Sequence, residues 1–357
     1  MKKIIFDNII FYWQRSGGIS VVWYELINRF LKGNDNIKFI DYGNTQNKYH
    51  NKLKIPTSKI IKNHTNFGMK IWRYFPINIK YNSPFIFHST YYRLCNNKRA
   101  INFLTVHDFT YEYFKHGISK WLHCYTKHHA IKNADYVICI SENTKKDLIK
   151  FIPNIDQNKI FTIYNGVGNT FKRLDKSHRY TNKDEQYLIF IGARDGYKNF
   201  MLALETSRIL QIKLYIIGRR LSEKETITVE KIIGKNYCDL GFIDDNKLNQ
   251  LYNKAFALIY PSSYEGFGIP VIEAQKAGCP VIAMNRSSIP EIIGNKDLLV
   301  DKEDPKLFAE KLQLLQDDEF REKIIIEGIN NSQRFNWDNT FKEYKKLYEI
   351  ASQNNKE

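Results

Sequence analysis

Paired cysteine is what this chain most plainly lacks. Its five cysteines, Cys95, Cys124, Cys139, Cys238 and Cys279, are odd in number, widely spaced and never arranged Cys-x-x-Cys. That pattern excludes a disulfide framework and a cysteine-built zinc site, and it fits a reducing compartment, the cytosol. No apolar run reaches the length of a membrane span. The opening Met1-Lys2-Lys3-Ile4-Ile5-Phe6 is interrupted by Asp7 and Asn8 and leads to no cleavage site, so it reads as a first strand and not as a signal peptide. No Gly-x-Gly-x-x-Gly occurs anywhere, which removes the dinucleotide fingerprint. Nor is there an internal repeat or a low-complexity block. His123, Lys127, His128 and His129 fall on one predicted helix. Their spacing includes an i,i+5 pair and no Cys or carboxylate cluster, so a metal site is rejected. Asp244-Asp245 makes no case for one either.

Acidic residues are scarce in one half only. Residues 1–170 carry 25 Lys+Arg against 10 Asp+Glu, whereas residues 171–357 carry 29 against 28. Almost all of the net charge of +16 therefore lies in the first half. Such asymmetry suggests an anionic partner there: an acidic membrane surface, a pyrophosphate-linked acceptor, or nucleic acid. The membrane surface is favoured over mere solubility. Phe67 to Phe75, which mixes aromatics with Lys70 and Arg73, suits insertion at a membrane interface, although an ordinary helix would pack such aromatics inward.

What the chain does contain, in quantity, is alternating strand and helix pattern. Its 357 residues, 43% hydrophobic, suit two domains better than one. Strands are expected at 4–13, 85–88, 101–106, 136–140, 187–192, 213–218, 257–260 and 280–284, with helices between them. Residues 43–66 read as a polar surface excursion. Ser141 is a natural N-cap for the helix after 136–140. In parallel α/β sheets the carboxyl ends of strands face the ligand. His107, directly after the strand 101–106, is therefore a better candidate than a histidine on a helix face. His88 and Arg93 are placed only on the same side. Arg194 and Lys198 emerge after the strand 187–192, where two cations can converge on a diphosphate. Gly17 and Gly18 form a second strand–turn–helix cradle.

The most specific run is Tyr264-Glu265-Gly266-Phe267-Gly268-Ile269-Pro270-Val271-Ile272-Glu273. It follows the buried strand 257–260 and opens a helix, with Pro270 suited to the first turn and Gly278 closing it. A helix N-terminus behind bare glycines is a phosphate site. Glu265 and Glu273 flank it, and carboxylates there more plausibly accept hydrogen bonds from hydroxyls. A ligand with phosphate in the middle and hydroxylated rings on both sides is a nucleotide sugar.

This run resembles the Glu-x7-Glu signature of retaining glycosyltransferases of the GT-B fold, in particular family 4, and Gly192-x-Arg194…Lys198-Asn199 resembles their diphosphate motif. The resemblance covers essentially the whole chain and implies two doubly wound Rossmann-like α/β domains facing a cleft. These would be residues 1–171, with a C-terminal tail of about 339–357 packing back on them, and residues 172–338. It implies that Glu265 contacts sugar hydroxyls and Glu273 the ribose. The backbone of Gly266, Phe267, Gly268 and Ile269 would hold the distal phosphate and sugar. Arg194 and Lys198 would hold the pyrophosphate, and His107 the donor sugar. Gly17, Gly18, Ser141, Gly192 and Phe242 would line the donor site. The implied activity is metal-independent transfer of a hexose, with retention, from a nucleotide sugar to a saccharide acceptor. GDP-mannose is favoured over UDP- or dTDP-sugars. Lipid-linked, undecaprenyl-pyrophosphate acceptors in O-antigen or capsule assembly fit, at the cytoplasmic face of the plasma membrane. No cofactor and no nucleic acid are expected. The rivals are a nucleotide-dependent epimerase or oxidoreductase, which should show the missing glycine fingerprint, and a non-catalytic nucleic-acid-binding protein. The latter explains the charge but not the paired glutamates.

Overall fold

A computed structural model describes the chain except residues 16, 34, 35, 44, 63–72, 175–185, 195 and 355–357. The aromatic–basic run 67–75 therefore lies largely outside the described residues, as does most of the segment 172–186 in which a domain linker is expected. The chain divides into two compact units, Met1–Gly166 with Trp337–Glu357, and Val167–Asn336.

The first unit is built on a parallel sheet of seven strands: β1 (Lys3–Asp7), β2 (Ile37–Asp41), β3 (Ile60–Lys62), β4 (Phe85–Ser89), β5 (Ala100–Val106), β6 (Tyr136–Cys139) and β7 (Ile160–Thr162). Their order is β3-β2-β1-β4-β5-β6-β7, every pairing parallel. Helices cover both faces of such a sheet, which is why β4 is buried at every position and its sequence does not alternate. The expected strand 4–13 stops at Asp7, and Ile9–Trp13 turns helical instead. Asp7 is buried at the end of β1, where it accepts hydrogen bonds from Tyr42 Oη (2.6 Å) and Ser89 Oγ (2.9 Å), and Ile10 N donates to Thr90 Oγ1 (2.9 Å). The chain is thus turned back over the sheet. The surface excursion expected at 43–66 also needs correction. Ile60 and Ile61 pair with Phe39 and Ile40 and make β3 an edge strand.

The helix Trp337–Asn354 belongs to this first unit. It lies against the helix Gly18–Lys32 and against β4. Its buried Tyr348 hydrogen-bonds His88 Nδ1 (2.6 Å), and its Tyr344 meets Thr105 Oγ1 (3.1 Å). Gly166 lies so close to the start of this helix that a Cβ there would sit 2.3 Å from Trp337 N.

The second unit carries six parallel strands: β8 (Tyr187–Ile191), β9 (Lys213–Ile217), β10 (Tyr237–Gly241), β11 (Ala257–Tyr260), β12 (Val281–Met284) and β13 (Leu299–Val300), in the order β10-β9-β8-β11-β12-β13. The order reverses between β8 and β11, which pair Ala257 with Leu188 and Leu258 with Ile189. A topological switch point opens a crevice at the carboxyl ends of the two strands concerned. Here those ends lead into the loops 192–199 and 261–268. Both units are Rossmann-like, each a parallel sheet with its order reversed at one internal switch point.

Candidate active site

The two loops at the β8/β11 switch point are fastened to each other. Ser263 N donates to Tyr197 O (2.8 Å), and Asn199 Nδ2 donates to Pro261 O (3.0 Å) and Ser263 Oγ (2.9 Å). Asn199 adopts a left-handed backbone (φ 49°), a conformation that asparagine tolerates better than most residues. This fastening places Lys198 against Glu265, and the two form an ion pair with both side chains largely shielded from solvent. The Tyr260 phenol hydrogen-bonds the same carboxylate. Burial first, and then the Glu265 charge, push that phenol far above its ordinary range. It remains a hydrogen-bond donor at any physiological pH.

Behind Glu265 the turn is stapled by the loop after β12. Ser288 Oγ lies 2.9 Å from the Glu265 carbonyl and 2.8 Å from that of Phe267. Ser287 Oγ donates to the Glu265 carbonyl (2.5 Å) and accepts from the Glu265 N–H (3.1 Å). The turn ends at Gly268, whose φ of 107° is open to glycine but strained for other residues, and where a Cβ would meet Ile289 Cδ1 at 2.9 Å. The helix Ile269–Lys276 then begins, with Pro270 in its first turn. Its first amides have no acceptor within the helix, so its positive end faces the turn. Glu273 projects from the second turn. It lies close enough to buried Tyr252 to add to the burial that raises that phenol's pKa. Glu265, Gly266, Gly268, Ile269 and Glu273 thus share one turn and one helix start. Phe267 is different: its ring is buried edge-on to Phe335 (5.6 Å), so only its backbone faces the turn.

Arg194 and Lys198 pair with different carboxylates, Glu225 and Glu265, and the Arg194 guanidinium is fully engaged. Nε lies 2.7 Å from Glu225 Oε1, Nη1 donates to Arg219 O (2.7 Å) and Nη2 to Arg220 O (3.0 Å). Glu225, held well below the usual carboxylate range chiefly by Arg194, also closes the capping box of the helix Glu223–Ile233. Arg194, Phe200, Met201, Lys224 and Pro305 are among the residues lining a cavity of about 590 Å³. Neither Lys198 nor Glu265 lines it. Gly192 directly follows β8, and Phe242 stands largely exposed after β10.

In the first unit, His107 follows β5 and is buried. Burial, and secondarily Lys127, bring its pKa down to about 4 against the raising influence of Asp108. Its imidazole is neutral near pH 7, and Nε2 has no hydrogen-bond partner among the described residues. A neutral ring nitrogen without a partner is suited to a hydroxyl ligand. Gly17 and Gly18 begin the helix Gly18–Lys32, and nothing lies within 4 Å of a Cβ placed on Gly18. Ser141 is fully buried and its hydroxyl accepts from Thr144 N (3.0 Å), so it serves as a helix cap. His88 and Arg93 are core residues. His88 bridges Tyr348 and Thr105, and Arg93 pairs with Asp7 (3.3 Å) and Tyr42 Oη (2.7 Å). That buried network fills the β1/β4 switch point.

Sequence reasoning missed Tyr260, Ser287 and Ser288 as parts of the site. Tyr260 closes an apolar strand and looked like core, and nothing near the two serines in sequence points to the turn at 265–268.

Two family models match adjacent stretches of the chain: Glycosyltransferase Family 4 over residues 16–169 and Glycosyl transferases group 1 over residues 171–331. Among curated relatives, O-antigen chain mannosyltransferase B of Escherichia coli is 28% identical over 228 residues, which are 59% of this chain and 60% of that protein. O-antigen chain mannosyltransferase RfbU of Salmonella typhimurium is 30% identical over 220 residues, 60% of each. The matched stretch thus spans about 60% of the length of these relatives. Among solved structures, sucrose-phosphate synthase from Thermosynechococcus elongatus superposes with a TM-score of 0.74 at 17% identity, over 98% of this chain and 99% of that one. Anabaena HepE, solved with UDP and glucose, gives 0.73 at 14% identity, over 98% and 100%. At such identities the likeness establishes the fold alone.

Proposed function

Because this chain belongs to the glycosyltransferases that those two family models describe, we propose that it moves a hexose from a nucleoside-diphosphate sugar to a saccharide hydroxyl, with the anomeric configuration retained. One observation carries this reading: Glu265 and Glu273 bracket a helix N-terminus, with Lys198 beside the first of them. In the proposed reaction the bond from the anomeric carbon to the phosphate oxygen breaks, and the acceptor oxygen bonds to that carbon on the same face. The acceptor's proton passes to the departing phosphate oxygen, so no separate general base is needed. Lys198 and the amides at the head of the helix Ile269–Lys276 neutralise the leaving diphosphate, which removes the need for a metal. Glu265 orients the sugar and Glu273 the ribose. Exchange of Glu225 for the diphosphate would bring Arg194 in as a second cation. His107, neutral, donates or accepts a hydrogen bond at a sugar hydroxyl.

The names of the relatives favour mannose, hence GDP-mannose ahead of UDP- or dTDP-sugars, and an acceptor belonging to O-antigen or a related polysaccharide. A lipid-linked acceptor, such as an undecaprenyl-pyrophosphate saccharide, places the enzyme at the cytoplasmic face of the plasma membrane. The excess of Lys and Arg in residues 1–170 suits that anionic surface. No helix among the described residues is long and apolar enough to cross a membrane.

The test is a calorimetric panel of GDP-mannose, UDP-glucose and dTDP-glucose against the parent, Lys198→Ala and Glu273→Ala. The expected result is binding of one donor, weakened at least tenfold in both variants. Equal affinity in parent and variants would overturn the site.

A further inference from the structure

The helix Gly117–Asn133 is amphipathic with its faces reversed. The buried face carries His123 and Lys127 beside Ala130 and Ile131. Lys127 is accommodated there by Glu112 (3.0 Å), by the Asp108 carbonyl (2.5 Å) and by the Phe109 ring, 3.6 Å from its Nζ. His123 is stacked on Tyr111 at 3.9 Å. The apolar residues of the same helix point outward. Ile118 is 86% exposed, Trp121 65% and Tyr125 58%, with Leu122 beside them. Their spacing of i, i+3, i+4 and i+7 puts them on one stripe, which His129 continues. Trp121 and Tyr125 stack on each other at 5.5 Å, and Tyr125 on His129 at 6.3 Å. A globular helix ordinarily turns such a stripe toward the core. This one has a polar inner face that is individually neutralised, which leaves the outer face for another phase.

The charge around the stripe selects that phase. From Tyr113 to Ala134 there is no carboxylate, while Lys115 and Lys132 are exposed. Trp and Tyr on a rim with Ile and Leu, flanked by lysines, are the side chains that settle at the boundary between headgroups and acyl chains. We propose that the stripe Ile118–Trp121–Leu122–Tyr125 is the element by which this protein docks on an anionic lipid bilayer. This refines the coarser expectation that the basic half meets such a surface by assigning the contact to a defined helix. Docking requires no sugar transfer, so this inference and the proposed activity fail independently.

The test is co-sedimentation of the full chain with phosphatidylcholine vesicles, with and without about 30% phosphatidylglycerol. The parent should sediment with the anionic vesicles, less so as salt is added. Ile118→Ser/Trp121→Ser should reduce binding roughly tenfold or more, and Lys115→Glu/Lys132→Glu should also weaken it. Ile227→Ser, at an equally exposed apolar residue of the other unit, should leave it unchanged. Trp121→Phe supplies a variant with little steric change, and it should abolish the blue shift of tryptophan emission on vesicle addition. Unaltered binding by the Ser variants, or binding indifferent to phosphatidylglycerol, overturns the proposal. So does light scattering in which the parent dimerises through the stripe without binding vesicles, and so does selective capture of a short DNA duplex.

Discussion

Acid should unfold the first unit well before it titrates the carboxylates, and the reason lies in histidines that the fold keeps neutral. His107 and His123 are buried, and burial first of all brings both to about pKa 4 from an ordinary value near 6.5. His88 is shifted in the same direction, by burial and then by His107. Between pH 6.5 and 4 the unfolded chain binds protons that the folded unit refuses, so stability falls as pH falls through that window. Each of the two sized histidines contributes a loss of about 1.4 kcal/mol at pH 5.5 and about 2.6 kcal/mol at pH 4.5, relative to neutral pH. Together they remove roughly 5 kcal/mol by pH 4.5, a large part of a typical domain's stability of roughly 5–15 kcal/mol. Glu112 acts lower. Burial opposes its ionisation, but His128 and Lys127 hold it down to about 2, so its contribution is lost only below pH 4.5. All five tryptophans, at 13, 23, 72, 121 and 337, belong to the first unit. Tryptophan fluorescence during urea unfolding therefore follows this unit alone. The midpoint should drop steadily from pH 7 to 4.5, and His123→Phe, which keeps the stack on Tyr111, should flatten the slope by about one proton. A midpoint constant between pH 7 and 5 would refute the reasoning.

Four further outcomes concern the second unit. Ser288→Ala, which removes the hydroxyl shared by the Glu265 and Phe267 carbonyls, should raise the donor KM roughly tenfold through about 1.4 kcal/mol of lost turn order, with thermal stability little changed. Gly268→Ala should destabilise by about 1–3 kcal/mol in denaturant titration, because it combines a left-handed φ with a 2.9 Å contact to Ile289. Lys198→Ala should lower kcat/KM roughly a hundredfold or more, whereas Glu225→Gln, which loosens Arg194, should leave donor affinity equal or improved. A fall in affinity for Glu225→Gln would assign Arg194 to holding the loop and not the diphosphate.

How much of this was legible follows from how far apart the cooperating residues are in the chain. Glu265 to Glu273 is one continuous strand–turn–helix segment, so its glycine, proline and carboxylates can be read together. The parallel two-unit architecture was legible for the same reason, from apolar runs separated by helical patterns. Lys198 meets Glu265 across 67 residues, and only the adjacency of β8 and β11 brings them together. No local pattern encodes that crossover. The pairing of Arg194 with Glu225 was not legible because 31 residues separate them and only the fold brings them together. The partner of Arg93 was not legible because nothing beside it in sequence announces Asp7, 86 residues away. The reversed helix Gly117–Asn133 was obscure because its inward lysine and histidine are accommodated by residues of the preceding segment 108–112.

In the proposed reaction the Lys198–Glu265 pair is what the donor diphosphate would meet in the second unit. A carboxylate and an ammonium that are both largely shielded are costly to separate, since each left alone keeps its desolvation penalty. A diphosphate need not separate them. Lys198 has three donor hydrogens and one is spent on Glu265, so it can bridge that carboxylate and a phosphate oxygen together. Tyr260 also hydrogen-bonds Glu265, and Ser287 and Ser288 fix the backbone of the turn. In the proposed reaction the carboxylate would therefore meet the sugar hydroxyls already oriented and partly neutralised, and it would not repel the anionic leaving group. Removal of Lys198 then has two consequences: the phosphate loses a cation and Glu265 becomes an uncompensated charge beside it. The double variant Lys198→Ala/Glu265→Gln should accordingly bind the nucleoside diphosphate better than Lys198→Ala alone while remaining inactive in transfer. If the double variant binds more weakly than Lys198→Ala alone, the carboxylate does not repel the phosphate and the shared-cation argument fails.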